Sequence, residues 1–129
     1  MAKIVHFEIP ADDTARAKEF WGSLFGVEWK TYEGPIEYHM FQNDDQTGGG
    51  LYPRQAGEQG LITYFAVDDI DAARAKVQEL GGTTEDKAPV PGMGWYARAV
   101  DTEGNAFSLW QTDETAPEAE QQAEATQQA

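Results

Sequence analysis

The chain contains no cysteine, which excludes a disulfide framework, a thiolate metal site and a cysteine nucleophile. Nothing in it calls for an oxidising compartment. Basic residues are scarce: nine Lys and Arg stand against 23 Asp and Glu, for a formal charge of −14. The Lys and Arg form no cluster, so the acidic surface repels both a nucleic-acid backbone and an anionic membrane, and neither is an expected partner. No apolar run approaches the roughly 18 residues of a membrane span. The opening run from Ile4 to Ile9, ended by Pro10, reads as a strand rather than a leader, and the expected location is cytoplasmic. An acid-rich, lysine-poor surface is shared by proteins of salt-loving organisms and by ordinary acidic proteins, and composition alone does not separate them.

What is present suffices for one domain of 129 residues with a core that needs no staples. Asp113 to Ala129 has five acidic residues, no basic one and no apolar residue larger than Ala. It cannot bury a face of its own and reads as a flexible, solubilising tail, which leaves 1–112 as the domain. That domain holds a repeat. Ala15-Arg16-Ala17-Lys18 recurs as Ala73-Arg74-Ala75-Lys76, and each copy follows a strand-like run and an acidic pair, Asp12-Asp13 and Asp68-Asp69. Two similar modules are expected, at about 3–53 and 60–112.

The first helix is expected from Asp13 to Phe25. An aspartate caps it, Ala17, Phe20, Trp21, Leu24 and Phe25 form its apolar stripe, and Gly26 stops it. The second runs from Ile70 to Leu80, with Ile70, Ala73, Val77 and Leu80 as its stripe and Gly81-Gly82 beyond. The strands are expected at 27–32, 36–42 and 48–52 in the first module, and at 83–90, 95–100 and 106–111 in the second. Residues 43–47 read as a polar loop. Each module is then strand, helix and three strands, an α+β arrangement with helices on one side of a mixed sheet.

This order resembles the vicinal oxygen chelate superfamily, which includes glyoxalase I, bleomycin-resistance proteins and extradiol dioxygenases. His6-Phe7-Glu8-Ile9-Pro10 through Phe20-Trp21-Gly22-Ser23-Leu24-Phe25-Gly26 is similar to the opening of the first module. Phe65-Ala66-Val67-Asp68-Asp69-Ile70-Asp71 through Leu80-Gly81-Gly82 is similar to that of the second. Asp101 through Leu109 resembles the closing hairpin. The resemblance covers about 3–112. It implies two βαβββ modules forming a curved mixed sheet with helices on the convex side, a small-molecule ligand and a homodimer. Members with a metal hold Zn, Ni, Fe or Mn through His or Glu on four strands. The corresponding positions here are His6, Gly50, Ile62 and Ser108, so one donor of the usual type remains. No cofactor is therefore expected, with His6 a weak metal candidate, Glu8 its neighbour on the strand and His39 a further contributor. The plainer expectation for His39 is an exposed strand residue.

Strand parity describes the cleft. Ile4, His6 and Glu8 share one face of the first strand, and Val5, Phe7 and Ile9 face the helices. Ile62, Tyr64 and Ala66 share a face, as do Ala106, Ser108 and Trp110. The candidate catalytic pair is His6 and Glu8, an imidazole that titrates near neutrality beside a carboxylate. The candidate ligand-binding residues are Tyr38, Met40, Tyr52, Tyr64, Trp95, Ser108 and Trp110, aromatic surface with a few polar groups, as small-molecule sites require. Aromatic residues at these positions also serve cores and interfaces. The segment Pro91 to Tyr96 reads as a strand connection or a lid. Gly48-Gly49-Gly50 lacks the Lys-Ser/Thr of a phosphate loop and reads as close backbone packing or an open floor. Three functions fit: a metal-free small-molecule-binding protein with a degraded metal site, a lyase- or isomerase-like enzyme using His6 and Glu8 with or without metal, and a structural dimer with a vestigial cleft.

Overall fold

A computed structural model describes residues 3–42 and 47–118. The element order is β1 (Ile4–Ala11), α1 (Thr14–Phe25), β2 (Lys30–Tyr32), β3 (Tyr38–Gln42), β4 (Gly48–Pro53), β5 (Ile62–Ala66), α2 (Ile70–Glu79), β6 (Thr83–Thr84), β7 (Ala88–Val90), β8 (Gly94–Val100) and β9 (Ala106–Thr112). The chain forms two compact units, one spanning Ile4–Thr63 and one that begins at Tyr64, so the boundary falls inside β5. Each unit repeats the strand–helix–strands order expected from the sequence. No helix among the described residues is long and apolar enough to cross a membrane.

In the N-terminal module, Asp13 adopts an extended backbone and its carboxylate accepts from the Arg16 amide at 3.0 Å, which starts α1. Gly26 stops the helix with φ 69°, and its amide returns to the Gly22 carbonyl at 2.8 Å. The strand order is β2-β3-β4-β1, with β1 parallel to β4 and β3 antiparallel to both of its neighbours. Ile9, Ala11 and Leu51 form the buried core, with Phe7, Ala17, Trp21 and Trp29 packed against it. Phe7 and Ile9 thus face α1, and alternation sends His6 and Glu8 to the opposite face of β1. Only part of the α1 stripe is covered: Phe20, Leu24 and Phe25 are 59%, 58% and 67% exposed.

In the C-terminal module, Asp69 caps α2 through the Ala72 amide at 3.1 Å, and the Gln111 side-chain oxygen accepts from the Ile70 amide at 2.8 Å. The order is β5-β9-β8-β6, with β7 also on β8. Strand β5 runs parallel to β9, with Tyr64 opposite Ser108, and β8 runs antiparallel to β9, with Arg98 opposite Ser108. Ile70, Ala97 and Leu109 are the core, joined by Val67, Ala73, Val77, Trp95 and Phe107. Leu80, expected in the α2 stripe, sits past the helix end and is 65% exposed.

Three expectations are corrected. The single strand at 83–90 is broken into β6 and β7. Arg74 of α2 donates to the Glu85 carbonyl at 3.0 Å and to Asp86 at 3.3 Å, and Lys87 donates to Asp71 at 2.9 Å. These side-chain ties hold Asp86 and Lys87 out of the ladder, while the Glu85 amide still meets the Arg98 carbonyl of β8 at 2.9 Å. Strand β2 begins at Lys30 rather than Val27, because the Trp29 indole turns back to the Lys18 carbonyl of α1 at 3.3 Å. The tail does not begin at 113. Asp113 donates its amide to the Met93 carbonyl at 2.8 Å, its carboxylate accepts from the Trp95 indole at 3.0 Å, and Ala116 is buried. The expected flexible tail therefore lies outside the described residues beyond 118. The Pro91–Tyr96 segment is a strand connection: a turn from β7 to β8, held where the Gly92 amide meets the Ala116 carbonyl at 3.0 Å. Of the polar loop expected at 43–47, residues 43–46 lie outside the described residues.

Candidate functional site

Tyr38 organises the N-terminal module's site. It enters β3 two residues before Met40, which pairs with Gly50, and Gly50 pairs in turn with Glu8 on β1. A Cβ placed on Gly50 would run into the hydroxyl and ring of Tyr38. The tyrosine therefore lies across the glycine and reaches β1. Its hydroxyl donates to Glu8 Oε2 at 2.7 Å and lies 2.9 Å from His6 Nε2. A phenol has one proton, and Glu8 receives it, so His6 Nε2 carries its own proton and donates to the Tyr38 oxygen. When the ring is neutral, Nδ1 is its basic nitrogen. Glu8 is buried, and carboxylate, phenol and imidazole form one hydrogen-bonded row.

The walls are aromatic. Tyr52 stacks on Tyr38 with centroids 6.1 Å apart and planes at 23°, and the Tyr52 hydroxyl donates to Glu58. Met40 lies half-buried on the same face of β3 as Tyr38. The glycine run serves close packing, not an open floor. Gly50 seats Tyr38, and on the opposite face a Cβ at Gly49 would meet the Phe41 ring at 2.7 Å.

His39 corrects its expectation as an exposed residue. It is buried, its Nε2 lies 2.6 Å from Glu37 Oε2, and its Nδ1 lies 3.1 Å from Thr31 Oγ1. Glu37 also accepts from Thr14 at the start of α1, so this group ties β3 to β2 and α1. Those hydrogen bonds, from Thr14 foremost, hold the Glu37 carboxyl below its ordinary pKa. His39 occupies the helix-facing side of β3 and does not join His6.

The C-terminal module has a second cluster. Ser108 is fully buried, and Arg98 Nη1 donates to its hydroxyl at 3.0 Å. The Arg98 guanidinium lies over the ring of Tyr64, 5.4 Å from the centroid, and Tyr96 tilts against Tyr64 at 6.4 Å. Trp110 shares this face. Its ring lies across Gly94, where a Cβ would meet it at 2.6 Å, and its indole donates to Thr112 at 3.0 Å. Trp95 does not. It sits on the other face of β8 against the Ile70–Ala97–Leu109 core, with Lys87 4.6 Å from its ring centroid. Sequence reasoning missed Tyr96, Arg98 and Glu58. Parity along β8 carries the signal for two of them, since Tyr96 and Arg98 alternate with the core residues Ala97 and Ala99.

The residues at the four family positions do not fit a divalent metal. Gly50 has no donor, and the Tyr38 phenol fills the space beside it. Ile62 is buried hydrocarbon. Ser108 holds a guanidinium, a positive charge at a position that a cation would need. His6 gives Nε2 to Tyr38. Among the described residues no group of three or more His, Asp or Glu side chains is placed to hold a metal ion.

Known proteins agree with this architecture. Residues 5–110 match the profile of the Glyoxalase-like domain family. The chain is 30% identical over 107 residues to the protein named "Putative glyoxylase CFP32" of Mycobacterium bovis, and equally to its namesake in Mycobacterium tuberculosis. The match covers 79% of this chain but 41% of those relatives, so the chain spans about two fifths of their length. A solved structure of a hypothetical protein, BH1468 from Bacillus halodurans, superposes with a TM-score of 0.67 at 15% identity, covering 91% of this chain and 99% of that one. Methylmalonyl-CoA epimerase of Streptomyces coelicolor superposes with a TM-score of 0.66 at 17% identity, covering 92% and 99%. These two likenesses show the fold alone. With a profile match across both modules, the chain belongs to the Glyoxalase-like domain family of the vicinal oxygen chelate superfamily.

Proposed function

We propose that this chain is a small-molecule-binding protein whose N-terminal module receives a polar ligand at His6, Glu8 and Tyr38 without a metal ion. The observation that carries the reading is the Tyr38 phenol, seated over Gly50 and joining His6 to Glu8 by hydrogen bonds of 2.9 and 2.7 Å. The site offers donors, an acceptor and the stacked faces of Tyr38 and Tyr52, the mixture that small-molecule sites use. Met40 lines it, and Tyr64, Ser108 and Trp110 belong to the corresponding face of the second module. A homodimer remains part of this proposal, on the family resemblance, and sedimentation equilibrium reads it directly.

The same three groups favour a second reading, a lyase- or isomerase-like enzyme. Carboxylate, phenol and imidazole in one row can take a proton at one atom of a ligand and return it at another. The name glyoxylase on the Mycobacterium relatives, of whose length this chain spans about two fifths, supports an activity of this class.

A thermal-shift panel of small metabolites, run on the wild-type chain, His6→Ala and Tyr38→Phe, tests the binding reading. A ligand of the site raises the wild-type melting temperature and moves the two variants far less. Equal shifts in all three proteins would place binding elsewhere. If a ligand is turned over, Glu8→Gln should abolish turnover and retain binding; unchanged turnover would remove the enzyme reading.

A further inference from the structure

The N-terminal module leaves an aromatic groove on the helix-facing side of its sheet. Phe7 of β1 and Phe41 of β3 pack edge to face at 5.4 Å and form one wall. Trp21 and Phe25 of α1 stack at 5.9 Å, with planes 26° apart, and form the other. The groove they line holds about 710 Å³, a volume within the range of small-molecule sites. Gly49 seats Phe41, and Phe7 and Trp21 pack against the Ile9–Ala11–Leu51 core, so three of the four rings are held in place. Phe25 reaches past them and is 67% exposed.

The mouth of the groove is negative. It lies at the C-terminal end of α1, where the helix dipole places partial negative charge. Helix α2 carries Lys76 in its last turn, whereas α1 has no basic residue there. Arg16 and Lys18 sit in the first half of α1, where Arg16 is 3.9 Å from Asp13 and the Lys18 charge acts on Glu37. Among the described residues, no Lys, Arg or His lines the groove. Glu28, two residues past the Gly26 cap, does line it. Glu28 is exposed, and its carboxylate makes no ion pair or hydrogen bond among the described residues. Aromatic faces are negative as well. Rings, carboxylate and helix end share one complement, a positive charge on an apolar body.

We propose that this groove binds a small molecule bearing an alkylated ammonium group. At −14, the chain draws small cations to its surface at long range. The aromatic walls then select an alkylated cation over a hydrated inorganic one. Phe7 alternates with His6 and Glu8 along β1, so the groove lies on the other face of that strand and is independent of the function proposed above.

Choline tests the proposal against its neutral isostere, the alcohol in which the trimethylammonium group is replaced by tert-butyl. Both are titrated into the whole chain by NMR, with choline chloride exchanged for sodium chloride so that ionic strength stays constant. The amides of Gly26, Val27 and Glu28 should shift on saturation. Exposed rings and an exposed carboxylate each favour a cation by about two- to fivefold, so choline should bind about tenfold more tightly than the alcohol. Glu28→Gln removes the charge and should reduce that preference by about two- to fivefold. Phe25→Leu keeps an apolar side chain without the ring, and should weaken choline by a similar factor while leaving the alcohol unchanged. Both side chains are exposed, and the amide spectrum shows directly that each variant is folded. Equal wild-type affinities would overturn the inference, as would the absence of choline-dependent shifts at the three amides. A preference for choline that is unchanged in either variant would also overturn it, since the cation would then only be collecting at an acidic surface.

Discussion

Tyr38 and Gly50 act as a pair: the glycine supplies room that the ring occupies, and the ring carries a hydroxyl to two partners on another strand. Removing the hydroxyl in Tyr38→Phe should cost roughly 1–3 kcal/mol, because one partner is a buried carboxylate. Gly50→Ala should cost a similar amount for a different reason, since the new methyl displaces the ring and breaks both hydrogen bonds; overpacking of this kind costs roughly 1–3 kcal/mol. Urea unfolding reads both, and wild-type stability in either variant would contradict the seat. Part of this arrangement of side chains was legible beforehand. Strand parity put His6 and Glu8 on the face away from the helix, and the aromatic content named Tyr38 and Tyr52. The contact among them was not legible, because it depends on β4 lying between β1 and β3 and on a glycine at the crossing. Arg98 was missed because a charged residue in a strand reads as a solvated position. His39 was misplaced because its ring is engaged by Thr31 and by Glu37, which is itself held by Thr14, a residue 25 positions before His39 in the chain.

At the level of elements, the two helices begin alike. Asp13 and Asp69 each cap an amide three residues on, and Asp13→Ala and Asp69→Ala should each cost roughly 0.5–2 kcal/mol. Combined, the two changes should add, since the caps belong to separate units and share no partner. The β8–β9 hairpin depends on Asp101, whose carboxylate accepts from the Asn105 side chain and from the Asn105 and Glu103 amides. Those hydrogen bonds, the Asn105 side chain first, hold its carboxyl below the ordinary aspartate range. A carboxyl depressed in the folded state stabilises above its unfolded pKa, and that contribution fades as pH falls through the folded value. The stability gap between wild type and Asp101→Ala should therefore be widest near neutrality and narrow below about pH 4. A gap that widened in acid would contradict the turn's hydrogen bonds. The hairpin itself was plain in the sequence, whereas the break between β6 and β7 was not. It is made by Arg74 and Lys87 reaching partners across the module, a tertiary effect that overrides strand propensity.

For the whole molecule, the repeated Ala-Arg-Ala-Lys segment marks two modules with the same plan, and each module buries its own core beneath its own helix. The composition of the last residues suggested a cut after 112. The structure moves that cut outward, because Asp113 and Ala116 fasten the turn between β7 and β8. A chain ending at 112 should melt several degrees below one ending at 118, since a buried alanine and three hydrogen bonds are lost together. Equal melting temperatures for the two chains, read by calorimetry, would show that the segment from 113 to 118 does not dock.

The proposed site takes its ligand through a tyrosine-bridged His6–Glu8 pair without a metal ion. Its most direct test is the metal content of the untagged chain, purified without chelator and then incubated with each of Zn, Ni, Fe and Mn, by elemental mass spectrometry. Far less than one ion per chain is expected in every case, with no difference between wild type and His6→Ala. Near-stoichiometric metal in the wild type, lost in His6→Ala, would show that His6 is a ligand after all and would contradict a metal-free site.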